Sequence, residues 1–199
     1  MNEKILFSLS YGLFVLTADE YKDNGCIINT VNQVANNPVR IAISVSNSNL
    51  TCSMIKNTGK FNLNVLAKTV SFDIFKRFGF QSGRSSDKFD GFEFKRSSNG
   101  LAYLTRDCIG YISCVVKNTL DLGSHTLFIA EMTDSEILLD AEPVTYAYYH
   151  SNIKPKQQTQ KKTGYVCSVC GHVYEGETLP PDFICPICKH PASDFTKIE

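Results

Sequence analysis

Near the end of the chain, Cys167-Ser168-Val169-Cys170 and Cys185-Pro186-Ile187-Cys188 form two Cys-x-x-Cys pairs separated by fourteen residues. A two-residue gap lets the backbone turn so that both sulfurs point inward, and two such turns face to face offer four thiolates in a tetrahedron. Cys167, Cys170, Cys185 and Cys188 are therefore expected to hold one metal ion. Two disulfides are the competing use of these residues, but sulfurs within so tight a turn pair poorly and no secretory context is apparent. Iron and zinc both suit the donor set. Iron can change its charge by one unit and so move electrons, whereas zinc can only brace the fold. His172 and His190 stand just outside the pairs and, with four sulfurs available, are expected at the surface or in support rather than as ligands.

Around the pairs, Tyr165, Tyr174, Phe183 and Phe195 can give a very small domain an aromatic core that limits water access to the metal. The stretches Tyr165-Val166-Cys167-Ser168-Val169-Cys170-Gly171-His172-Val173-Tyr174 and Pro180-Pro181-Asp182-Phe183-Ile184-Cys185-Pro186-Ile187-Cys188 resemble rubredoxin, the one-iron electron carrier, over residues 163–199. The resemblance implies iron, with Val169 and Ile187 as an apolar exit for electrons. A structural zinc tail that docks a partner is the alternative. The segment between the pairs is shorter than in most free-standing rubredoxins, and Lys189 stands where the second turn usually has glycine.

A second kind of chemistry is written earlier in the chain. Ser46-Asn47-Ser48-Asn49-Leu50-Thr51 opens a helical pattern whose free N–H groups and dipole attract an anion, with Ser48 and Thr51 adding hydroxyl donors. The stretch 79–89 combines turn-forming glycines and hydroxyls, Ser82 and Gly83 among them, with the cations Arg84 and Lys88. Taken alone, each reads first as a helix cap or a solvated loop.

The elements that must position these residues are mostly strands. β-branched and aromatic runs bounded by turn residues predict strands at 13–17, 26–34, 39–45, 62–66, 92–96, 109–118 and 125–133. Helical spacing predicts helices at 49–58 and 71–78. So many strands with so few helices favour a closed barrel, a mainly β architecture. Composition then shifts: residues 151–162 are polar, basic and without apolar period, as expected of a solvated linker. The expected division is a barrel domain at 1–150, a linker at 151–162 and a metal module at 163–199.

Ser10-Tyr11-Gly12-Leu13-Phe14-Val15-Leu16-Thr17, Asn24-Gly25-Cys26-Ile27-Ile28-Asn29-Thr30, Phe80-Gln81-Ser82-Gly83-Arg84-Ser85-Ser86-Asp87-Lys88-Phe89 and Gly123-Ser124-His125-Thr126-Leu127-Phe128-Ile129 resemble the flavin reductase-like split-barrel family. That resemblance implies FMN at the interface of a homodimer. It places Asn29, Thr30, Val31 and Asn32 along the isoalloxazine, and Ser46, Ser48, Thr51 and Lys88 on the phosphate side, near the loop of Ser82, Gly83 and Arg84. It also makes His125 the candidate catalytic residue beside the flavin, although Ser124 and Ala130 replace an aspartate and a glycine common around it. Tyr148, at the end of the domain, would pack near the flavin. The fusion itself resembles the high-molecular-weight rubredoxins. It implies electrons from NADH or NADPH, directly or through a separate reductase, and a flavodiiron protein as acceptor. No Gly-x-Gly-x-x-Gly dinucleotide fingerprint occurs in the chain.

The whole chain sets the bounds. At 199 residues it can bury a sizeable core, and its 20 basic and 20 acidic residues cancel, leaving no field to attract nucleic acid or an anionic membrane. The apolar run 5–18 after Lys4 imitates a signal peptide, but Ser8, Ser10 and Gly12 interrupt it, no small-x-small cleavage site follows, and it is too short to span a bilayer. Eight cysteines, four of them in a metal-type pattern, fit a reducing, cytoplasmic setting. Cys26, Cys52, Cys108 and Cys114 lack metal spacing and read as inert buried thiols.

Overall fold

The structure is a computed structural model and describes residues 2–155 and 164–198, so most of the expected linker lies outside the described residues. After a short 3₁₀ turn at Glu3–Ser8 come β1 (Phe14–Asp19), β2 (Asp23–Ile28), β3 (Val31–Asn36) and β4 (Val39–Ser46). Helix α1 (Leu50–Thr58), β5 (Lys60–Leu66) and α2 (Phe72–Phe75) follow, and α2 runs on into a wider π turn at Lys76–Phe80. The domain is completed by β6 (Phe94–Arg96), β7 (Ala102–Leu104), the long pair β8 (Cys108–Asp121) and β9 (His125–Ile137), and α3 (Tyr146–Tyr148) with a further turn at Tyr149–Ile153.

Seven strands form one antiparallel sheet in the order β2-β1-β5-β8-β9-β4-β3. Its two outermost strands are neighbours in the chain, joined only by Asn29 and Thr30. Laid flat, strands spaced about 4.8 Å apart would put those edges about 29 Å from each other, yet two residues span at most about 7 Å. The sheet therefore has to roll into a barrel. No residues of β2 and β3 pair with each other among the described residues, so the barrel stays open along this seam rather than closed as the strand count suggested. The same seam divides the single strand expected at 26–34 into two.

Core packing follows from the roll. Leu16, Ile43, Val45, Phe61, Leu63 and Phe128 fill the interior, and α1 adds Leu50, Met54 and Ile55 from one face. The opposite side of β1 and β5 is covered by a second cluster in which Val15 and Leu66 meet Phe75, Phe78 and Leu104. With both faces covered, β1 is a continuous buried run rather than an alternating one. The three-residue β7, entirely buried, was too short to show a period in the sequence. Strand β8 exceeds its expected length because it continues to the hairpin turn at Gly123, where φ is 81°, and β9 because it runs past Thr133 until Ile137 pairs with Gly110. Bulges at Ser113/Cys114 and Val116/Asn118 strengthen the twist that such a long ribbon needs.

The C-terminal module is a three-stranded antiparallel sheet, β11-β10-β12, built from β10 (Gly164–Cys167), β11 (Val173–Tyr174) and β12 (Phe195–Ile198). Phe183 lies between Tyr174 and Phe195, with ring centroids 4.8 and 5.3 Å away, so the expected aromatic core forms. The first residues of the expected linker, 151–153, belong to the helical turn Tyr149–Ile153. No helix of the described residues is long and apolar enough to cross a membrane.

Gly110 lies in β8 opposite Ile137, where a Cβ would overlap the backbone carbonyl of Glu136. Gly110→Ala is expected to destabilise the protein by about 2 kcal/mol, lowering Tm by about 4–8 °C in a scan of the flavin- and metal-loaded protein.

Candidate functional site

The four cysteines of the C-terminal module converge. Their sulfurs all lie within 4.8 Å of one another, with Cys167 to Cys188 at 3.6 Å and Cys170 to Cys185 at 3.5 Å. Four sulfurs each about 2.3 Å from a common centre would stand about 3.8 Å apart, so the cage has the size of a tetrahedral metal–thiolate site. Three of the four are buried and Cys170 is half-exposed.

The two turns are near copies of each other. Cys167 N–H donates to the His172 carbonyl and Gly171 N–H to the Cys167 carbonyl; Cys185 N–H donates to the His190 carbonyl and Lys189 N–H to the Cys185 carbonyl. Each turn needs one left-handed residue. Gly171 supplies it at φ 79° and Lys189 at φ 63°, so the lysine occupies a position that favours glycine. Burial pushes the Cys185 thiol up, but the N–H groups of Cys188 and Ile187, together with the Cys188 and Cys170 thiols, outweigh this and hold it below the usual cysteine range. N–H groups pointed at a sulfur also favour a metal-bound thiolate.

In the barrel, a hollow of about 220 Å³ opens where β4 turns into α1. Ser48, Thr51, Ser82, Gly83 and Lys88 line it, together with Asn24, Cys26 and Phe80. Asn49 at the start of α1 makes no side-chain cap, and with Cys52 N–H donating to the Asn49 carbonyl, the N–H groups of Leu50 and Thr51 are left for another acceptor. Asn24 Nδ2 donates to Thr51 Oγ1 at 2.9 Å. The Gly83 backbone comes so close to the Asn24 amide that any Cβ would collide with it, which is why this loop needs glycine there.

Lys88 is buried. Its ammonium donates to the carbonyls of Gly25 at 2.8 Å and Phe78 at 3.1 Å, leaving a third N–H for an anion in the hollow. Burial brings its pKa down to about 8, with the Cys26 thiol opposing the shift. Hydroxyls, a helix start and a buried ammonium form a donor set that fits the phosphate of FMN.

Other sequence-predicted residues fall elsewhere. Asn29 and Thr30 form the seam turn, and Val31 and Asn32 begin β3. Thr30 Oγ1 donates to the Ser44 carbonyl at 2.7 Å. Ser46 lies 2.9 Å from Ser48, oxygen to oxygen, and pairs across the sheet with the exposed His125, whose Nδ1 is 2.9 Å from Ser124 Oγ. Arg84 is exposed beside the hollow, its N–H donating to Ser82 Oγ. Tyr148 does not line the hollow; it lies under Lys68, whose ammonium is 5.1 Å from the ring centroid. Cys26, Cys52, Cys108 and Cys114 are buried and unpaired, and burial raises Cys26 and Cys108 to about 11 and Cys114 to about 12, values that suit inert thiols.

Two contributors escaped the sequence reading, and a third, His190, was expected only at the surface or in support. Asn47 donates to the Gly123 carbonyl at 2.7 Å and accepts from Thr126 at 2.5 Å, tying the turn before α1 to the β8–β9 hairpin. Asn24 braces Thr51 across 27 positions of sequence. His190, two residues after Cys188, lines the barrel hollow and lies 2.7 Å from Asp194 through Nδ1.

Since the folded-state pKa of Lys88 is depressed, its charge is present below about pH 8 and lost above it. Fluorescence titrations of apoprotein with FMN should therefore show a nearly constant Kd from about pH 7, where the phosphate is a dianion, to about pH 8, then a rise approaching tenfold per pH unit. Lys88→Met should bind FMN more weakly throughout and lose that pH dependence. Cys185→Ser should remove the ferric–thiolate absorption while FMN content, measured after heat release, stays at the unaltered level.

The family profile described as flavin reductase like domain matches residues 6–156, and the one described as rubrerythrin, rubredoxin-like domain matches 165–196. A high molecular weight rubredoxin of Moorella thermoacetica is 35% identical, with all of both chains covered. A ferric-chelate reductase (NAD(P)H) of Archaeoglobus fulgidus is 36% identical over 78% of this chain and 93% of its own. Among solved structures, an FMN-binding protein from Thermus thermophilus shares the barrel fold, with a TM-score of 0.60 over 65% of this chain and 72% of that one, at 16% identity. The rolled barrel, the four-sulfur cage and a relative similar from end to end lead to one conclusion: the chain belongs to the high-molecular-weight rubredoxins, a flavin reductase-like domain joined to a rubredoxin-like domain.

Proposed function

We propose that this oxidoreductase takes electrons from NADH or NADPH, directly or through a separate reductase, and passes them by way of FMN and a one-iron centre to an acceptor such as a flavodiiron protein. Flavin-linked electron transfer follows from joining the two domains. One observation supports transfer between them within the chain: His190, beside the iron ligand Cys188, is also a wall of the hollow built by Ser48, Thr51 and Lys88. FMN, when bound, supplies the conversion of a two-electron hydride donor into the single electrons that iron accepts.

The chain's own groups do the positioning. Ser48, Thr51, Lys88 and the start of α1 hold the phosphate, with Ser46, Ser82, Gly83 and Arg84 around them. The seam turn Asn29-Thr30 and the start of β3 at Val31 and Asn32 offer backbone groups to the ring, and His125 and Tyr148 are the side chains proposed nearest its reactive part. Cys167, Cys170, Cys185 and Cys188 hold the iron. A hollow of about 220 Å³ is smaller than the about 300–1,000 Å³ of most small-molecule sites, which supports a homodimer in which a second copy supplies the missing wall. Residues 1–150, 151–162 and 163–199 are the proposed barrel, linker and metal module, in a reducing cytoplasm that suits unpaired cysteines.

Anaerobic mixing with NADH or NADPH tests the route. The flavin and ferric–thiolate bands should bleach together within one preparation. A colourless, zinc-loaded tail would sink the electron-transfer reading, and unchanged spectra with both nucleotides would leave only the route through a separate reductase.

A further inference from the structure

Four phenylalanines fall close together in one segment, and three of them are spent on the barrel. Phe75 and Phe78 are buried in its second core cluster, and Phe72 packs against it. Phe80 is different. It ends the wide turn Lys76–Phe80 and packs against the cluster formed by Cys167, Cys185, Cys188 and Phe195. Its ring is anchored on the barrel side by Phe72, with centroids 5.8 Å apart. It also lines the hollow that holds Thr51 and Lys88.

The neighbouring contacts point the same way. Gln81 and Ser82 share a hollow of about 360 Å³ with Cys188, Lys189 and His190. Gln81 and Ile74 likewise face Pro186 and Ile187 across a larger cleft of about 470 Å³. Among the described residues, Phe80 is the barrel residue that packs against the module's apolar cluster.

We propose that Phe80 is the positioning residue that docks the metal module on the cofactor hollow, and so sets the rate of electron exchange between flavin and iron. This rests on the electron-transfer reading above. Each exchange removes one electron from the reduced flavin and converts one ferric ion to ferrous. Oxidation of one hydride donor is completed when the acceptor empties the iron and it fills a second time. The rate scales with the fraction of molecules that are docked, and a shortened side chain lowers that fraction while the linker keeps the module attached.

The test uses the full-length protein loaded with FMN and iron. A light pulse reduces the flavin without any nicotinamide, and the loss of ferric–thiolate absorption is followed and expressed per bound FMN and per bound iron. Phe80→Ala should slow the transfer tenfold or more, while Phe80→Leu and Phe80→Tyr should retain most of the rate. A readout independent of turnover uses zinc-substituted protein: in Phe80→Ala, backbone amides of residues 81–83 and 187–190 should exchange with deuterium faster than in the unaltered chain. Equal transfer rates, or equal exchange, in Phe80→Ala and the unaltered chain would overturn the proposal. Loss of FMN or iron from Phe80→Leu would also overturn it, by assigning the residue to cofactor retention. Failure of the unaltered chain to pass electrons from flavin to iron would instead sink the underlying electron-transfer reading.

Discussion

Asn29 and Thr30 are too short a bridge for a flat sheet, and the shape of the large domain follows from that limit. Because they join the two outermost of seven strands, the sheet must roll until its edges come near each other, without pairing. Rolling creates an interior that β1, β4, β5 and β9 fill with Leu16, Ile43, Val45, Leu63 and Phe128, with α1 packed against them. Seating α1 there brings its open N-terminus to the barrel rim beside Lys88. The seam left between β2 and β3 lies at the same turn that the resemblance assigns to the isoalloxazine.

The rim is polar for a physical reason. A buried ammonium is costly unless its donors are used, and Lys88 spends two of them on Gly25 and Phe78. Those carbonyls fix the charge in place, so little reorganisation would be needed for an anion to bind there. Asn24 performs the same service for Thr51, and its contact with Gly83 holds the opposite loop at a set distance. The metal cage is organised differently. Two short turns with matching hydrogen bonds arrange the four sulfurs locally, and the aromatic rings of Tyr174, Phe183 and Phe195 support them.

That difference explains what could be read from the chain. Spacing alone exposed the cage, because each pair of ligands sits within one turn and its geometry is a local property. Helix α1 and most strands were also visible, since period and breakers act over a few residues. The seam was not visible: the apolar run from Cys26 to Val34 has the composition of one strand, and only the order of distant strands breaks it at Asn29. Residues such as Asn24, Asn47 and His190 matter through partners 27 or more positions away or in another module, which no local pattern encodes. Lys88 was singled out as a cation, but its burial against backbone carbonyls, and hence its lowered pKa, is a product of the fold.

The central claim is that one chain sets a flavin phosphate site and a four-sulfur iron cage against a shared wall. Diffraction from crystals of the oxidised, cofactor-loaded protein, with data collected at the iron absorption edge, tests it most directly. The account predicts an anomalous peak among Cys167, Cys170, Cys185 and Cys188, and an FMN phosphate at the start of α1 within reach of Thr51 and Lys88, with His190 on the wall between them. An iron-free cage, or a flavin phosphate bound away from α1, would contradict it.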